Sequence, residues 1–134
     1  MLPQQQIRLL MLFVLVSLAC TEAKTEPAVP VIDFGGTPLR VQSNLELTTD
    51  ERAWLFLASR ERHVTVPQGA TLFVRMSPLK EVAGYWRVDL HLAGANGDTL
   101  MREDAIGCGR TGAYDHAVGF LVNYLAWKTT GAHN

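Results

Sequence analysis

Cysteine is scarce in this chain: Cys20 and Cys108 are the two among 134 residues. A small disulfide scaffold of the secreted kind, which needs several bridges, is excluded. A dominant charge is missing too. There are 12 Lys or Arg against 13 Asp or Glu, a formal net charge of −1, with both signs scattered. No basic stripe points to nucleic acid, and none is expected as a partner. No apolar run approaches the roughly 20 residues a membrane-spanning helix needs. The four histidines, His63, His91, His116 and His133, share no spacing that would converge on a metal, so no metal or other cofactor is expected. Asp115-His116 has no serine or cysteine in a nucleophile setting to work with, and reads as a turn before the last element. GCGRTG, residues 107–112, lacks the spacing and the lysine of a phosphate loop and reads as a bend. The carboxylates are scattered. No enzyme is expected.

What is present is a chain 48% apolar and 19% charged, enough to form the core of one domain. Some of that apolar content lies at the start. Leu9–Ala19, LLMLFVLVSLA, follows Arg8 and a short polar opening, the order of a secretory signal, and is too short to span a bilayer. It ends in Ser17-Leu18-Ala19-Cys20, which resembles a lipobox, with lipidation of the Cys20 sulfur after cleavage. Thr21 follows where an Asp would favour retention at the inner membrane, so sorting to the outer membrane is expected. The organisation read from this is 1–19 lipoprotein signal peptide, 20–33 lipidated Cys20 and flexible tether, 34–130 folded domain and 131–134 tail. With Cys20 acylated, Cys108 is left unpaired and is expected to be buried.

The body reads as short strands. Thr37–Thr48 alternates Leu39, Val41, Leu45 and Leu47 with polar residues, the period of a half-buried strand. Thr49, Asp50 and Glu51 offer turn chemistry, and Ala53–Ser59, AWLFLAS, is apolar on both faces of a strand. His63–Val66 is a further short β-branched run. Pro67-Gln68-Gly69 is a turn, followed by a strand at Ala70–Met76. Tyr85–Gly94 alternates most cleanly, with Trp86, Val88, Leu90 and Leu92 on one side and Arg87, Asp89 and His91 on the solvated other. Asn96-Gly97 marks a hairpin and Thr99–Arg102 its returning arm. In Tyr114–Lys128, Ala117, Val118, Leu121 and Leu125 fit a helical stripe, whereas Phe120, Val122 and Tyr124 fit strand alternation. Val, Phe and Tyr enrichment around Gly119 favours strand. The sum is an all-β domain, an antiparallel β-sandwich of about six to eight short strands. Its aromatic load, Trp54 and Phe56 on one apolar strand and Phe120 and Tyr124 on another, is either closed between two sheets or open as a partner-binding groove.

The runs HVTVPQGATLFVRMSPL, YWRVDLHLAGANGDTLMRED and GAYDHAVGFLVNYL, together with ERAWLFLASRER, resemble the envelope lipoproteins of the YbaY-like family. Within it they resemble the pilotins of the YscW and ExsB type, lipoprotein chaperones of type III secretion. The resemblance implies a β-sandwich and a non-enzymatic task. Such a protein binds the C-terminal segment of a secretin subunit and uses the lipoprotein sorting machinery to reach the outer membrane. Held there by its N-terminal lipid and facing the periplasm, it promotes assembly of the secretin ring. The competing readings are a generic envelope lipoprotein of the YbaY-like kind without a secretin client, and a periplasmic inhibitor or immunity lipoprotein.

Lipidation is testable directly. Cys20→Ala should leave the body folded but abolish palmitate labelling and move the protein out of the membrane fraction. Undiminished labelling, or an unchanged membrane fraction, would contradict the lipobox reading.

Overall fold

The computed structural model describes residues 29–130. The expected signal peptide, Cys20, most of the expected tether and the expected tail 131–134, with His133, lie outside the described residues. The elements run β1 Val31–Phe34, β2 Thr37–Ser43, α1 Thr49–Arg62, β3 Thr71–Pro78, β4 Tyr85–Ala93, β5 Thr99–Cys108 and α2 Gly109–Thr130. The strands form one sheet in the order β1-β2-β3-β4-β5. β2 and β3 are parallel and are joined through α1, while every other neighbouring pair is antiparallel. β1 takes up Val31–Asp33, the last residues of the segment expected as tether.

The all-β sandwich is therefore overturned: the described residues form an α/β fold of a five-stranded mixed sheet and two helices. AWLFLAS is not a strand but the middle of α1. Thr49, Asp50 and Glu51 begin that helix rather than turn the chain, with Thr48 as its cap. The Thr48 hydroxyl accepts from the Glu51 N–H and the Glu51 carboxylate accepts from the Thr48 N–H, a reciprocal cap. Asp50 and Glu51 stand in its first turn and Arg60 and Arg62 in its last, each matched to the helix dipole. His63 is no strand residue. It closes α1 in the left-handed conformation, φ 52°. Tyr114–Lys128, for which strand alternation was favoured, belongs to α2. Its buried positions, Ala113, Tyr114, Ala117, Val118, Leu121, Val122 and Leu125, follow the period of a helix with one covered face.

Three strands keep the alternation read from sequence. Leu72, Val74 and Met76 of β3 and Val88, Leu90 and Leu92 of β4 are buried, with Leu39 and Val41 of β2 beside them. Trp86 points the same way but is only half-buried. β2 stops at Ser43, leaving Leu45 and Leu47 in the connection to α1. The Asn96-Gly97 turn joins β4 to β5, with Gly97 at φ 88° and Gly94 N–H donating to the Asp98 carbonyl at 2.8 Å. GCGRTG is where β5 passes into α2. A methyl on Gly107 would stand 2.5 Å from the Ala113 backbone nitrogen, so the strand and the first turn of the helix touch only because that side chain is missing. Cys108, expected inside, is exposed, because it lies on the other side of the strand from Gly107.

Both helices cover the same side of the sheet. α2 packs on β5, β4 and β3, and α1 packs on β1 and α2. The two are joined at their N-termini by one polar knot. Glu51 is buried, 6% exposed. Its carboxylate receives Arg110 Nε at 2.9 Å on Oε2 and Nη2 at 2.7 Å on Oε1, and the same Nη2 donates to the Glu46 carbonyl at 2.7 Å. The Tyr114 hydroxyl donates to the Glu51 carbonyl at 2.7 Å. Burial, with the Glu51 carboxylate close by, pushes the Tyr114 phenol far above its ordinary range, so it remains a donor. For Glu51, burial alone would raise the carboxyl. The hydrogen bonds from Arg110 and Thr48 and the guanidinium charge outweigh it and hold the group below its ordinary 4.5.

This knot has a pH signature. The folded state binds the Glu51 proton less readily than the unfolded chain. Its contribution is therefore complete above about pH 4.5 and is lost as pH falls through the lower folded value. Glu51→Gln should flatten the acid limb of melting temperature against pH. At neutral pH it should cost up to about 3 kcal/mol, the low end for a buried pair because Arg110 keeps some solvent contact. An unchanged acid limb in the variant would contradict this.

Candidate functional site

With both helices on one side, the outward side chains of the sheet have no second layer over them among the described residues. Opposed residues in a ladder share a face, so the register gives the pattern of this surface. One row runs Gln42, Phe73, His91 and Arg102 across β2 to β5. The next holds Arg75, Asp89 and Asp104, and the next Ser77, Arg87 and Ile106. Arg40 lies beside Thr71 on the other flank. A shallow groove of about 690 Å³ runs over the first two rows, within the range of ligand sites.

Two kinds of chemistry meet in it. Phe73, 38% exposed, stacks on the His91 ring with centroids 5.4 Å apart and 28° between planes. His91 Nε2 lies 2.9 Å from the Thr99 hydroxyl, which fixes the ring. Arg87 reaches Asp104 at 2.7 Å and Asp89 at 3.2 Å, bridging two carboxylates that stand directly opposite each other. The charge of Asp89 first, and then that of Asp104, raises the Arg87 guanidinium above its ordinary value. Among the described residues Arg40, Arg75 and Arg102 make no ion pair. The wall at β2 is held by Asn44, whose side chain continues the parallel ladder. It accepts from Met76 N–H and donates to the Met76 carbonyl, both at 2.8 Å.

The groove combines an aromatic platform with charged side chains, an arrangement suited to binding. Both groove aspartates are engaged by Arg87, and no group of three or more metal-ligating side chains occurs among the described residues. No helix among them is long and apolar enough to cross a membrane.

The aromatic residues singled out by sequence lie elsewhere, on the helices. Trp54 and Phe56 stand two positions apart on α1, each half-buried against the core. Trp54 Nε1 is buried without a hydrogen-bond partner among the described residues, and the Arg60 guanidinium lies 4.7 Å over the Phe56 ring. Phe120 is exposed on α2. Tyr124, one turn on, donates its hydroxyl to the Leu100 carbonyl at 2.7 Å and packs beside Trp127, centroids 6.2 Å apart. The four residues fall at two positions on α1 and in one stripe on α2, and none of them is on the open face. Sequence reasoning passed over Phe73, Arg75 and Arg102. The signal for the first two was there, since alternation in ATLFVRM turns an aromatic and an arginine to the side opposite Leu72 and Val74.

Neighbouring positions on β3 test the face assignment. Leu72→Ala removes a fully buried side chain and should cost about 2–5 kcal/mol in denaturant unfolding. Phe73→Ala should cost about 1 kcal/mol or less. Equal losses would mean that the outer face is covered. No model of a known protein family matches this chain, and no curated protein matches it.

Proposed function

We propose that this chain is a lipid-anchored binding protein of the bacterial envelope, without catalysis of its own, which docks a partner protein on the uncovered face of its sheet. The observation that carries the reading is the groove on that face. There exposed Phe73, stacked on His91, and arginines without an ion pair among the described residues stand together on the strands, where a structural surface would carry scattered, mutually paired charges. The envelope location is supported by the signal-like start and the lipobox-like sequence ending in Cys20. A single domain on a lipid needs no membrane-binding surface of its own, since acyl chains supply about 0.8 kcal/mol per buried CH₂.

A pilotin acting on the C-terminal segment of a secretin subunit at the outer membrane is a special case of this reading. The quoted motifs and the lipobox support it. The β-sandwich that the same resemblance implied is overturned, so this more specific reading rests on sequence alone.

The test is retention of envelope proteins by the mature lipidated protein in detergent, compared with its Phe73→Ala and Phe120→Ala variants. A discrete partner kept by the wild type and by Phe120→Ala, but lost by Phe73→Ala, is expected. Loss only in Phe120→Ala would move the docking surface to α2. Retention of nothing by the wild type would contradict the binding role.

A further inference from the structure

Resting on the reading of the open face as the docking surface, we propose that its occupant is an acidic, extended peptide segment of the partner, laid across β2 to β5 with carboxylates on either side of an apolar residue. Within the groove, the side chains on the open face include three arginines, Arg75, Arg87 and Arg102, and two aspartates, Asp89 and Asp104. Arg87 engages both aspartates and leaves that cluster one negative charge, so the net surplus of these five side chains is one positive charge, carried by Arg75 and Arg102. Glu103, which also borders the groove, alternates to the helix side of β5, opposite buried Leu90. Arg40 adds to the surplus beside Gln42 on β2.

The spacing separates one bound anion from two. Arg75 stands on β3 and Arg102 on β5, two strands apart and one same-face row apart, roughly 12 Å between backbones from the usual strand spacings. Along an extended chain, carboxylates two or three residues apart stand about 7–10 Å apart, a separation that two long, forked side chains can meet, each with its own carboxylate. On β4, between the two arginines, stand His91, which stacks on Phe73, and Asp89, which Arg87 engages; the Phe73–His91 stack is the apolar platform for the residue between the acids. The same count argues against a nucleic acid. A surplus of this size suits a short acidic peptide, whereas the aspartates in the groove oppose a continuous run of phosphates.

The test uses the mature lipidated protein in detergent and three labelled probes read by fluorescence anisotropy. These are a peptide with glutamates on both sides of one phenylalanine, its glutamine counterpart, and a short oligothymidine. The acidic peptide should bind about tenfold or more tightly than the glutamine peptide, the scale of charge-assisted contacts to two arginines. That advantage should shrink as salt is raised and vanish in the R75Q/R102Q double variant at an unchanged melting temperature. Equal binding of the two peptides, a preference that survives the double variant, tighter binding of the oligonucleotide, or no binding of either peptide would overturn the proposal. Hydrogen exchange on the bound protein tells this failure from failure of the underlying reading. Protection of β3 to β5 by both peptides alike leaves the open face in place and removes only the acidic preference. Protection confined to α2 removes the open face itself.

Discussion

The bidentate contact between Glu51 and Arg110 is the constraint on which the arrangement of this protein turns. It is the one ion pair among the described residues with a buried member. It joins places far apart in the chain, the first turn of α1, the first turn of α2 and, through the Glu46 carbonyl, the connection leaving β2. Tyr114 adds a second tie from α2 to the backbone of α1. A buried carboxylate is costly unless its partners are in place. Positions of the two helices that separate their N-termini are therefore disfavoured, and both helices stay on one side of the sheet.

From that follows the division of labour between the two faces. The crossover through α1 makes β2 and β3 parallel, and α2 returns over β3 to β5, so the apolar side chains of all five strands have one destination. The absent side chain of Gly107 allows the end of β5 and the start of α2 to meet without a linker. What remains on the other side is a sheet surface with no covering layer among the described residues, on which cross-strand register rather than loop geometry sets the distances between Phe73, Arg75, His91 and Arg102. Strands are stiff supports, so a docking surface built this way is formed before the partner arrives and loses little entropy on binding.

Much of the sheet was legible in the sequence, and the helices were not. β3, β4 and the Asn96-Gly97 hairpin follow from period-two alternation and turn chemistry, because each strand has one dry and one wet face. α1 was misread because Ala53–Leu57 is apolar at every position, which erases periodicity. The deciding signal lay in the polar residues, the Thr48-x-x-Glu51 cap and the basic last turn. α2 was ambiguous for a related reason. Phe120, Tyr124 and Trp127 add an aromatic stripe beside its buried face, so helical and strand periods both find matches. From sequence, a partner surface is expected where aromatics are densest in the chain, whereas the proposed one lies where an aromatic and two arginines without an ion pair among the described residues are brought together by strands distant in the chain. Alternation could flag Phe73 and Arg75. Only the register puts Arg102 beside them.

The central claim is that the partner meets the bare side of the sheet and not the helices. The most direct measurement is photo-cross-linking in living cells, with a photoreactive phenylalanine analogue in place of Phe73 or, separately, of Phe120. The account predicts a discrete adduct from position 73 and none from position 120. An adduct from position 120 alone, or from neither position, would contradict it.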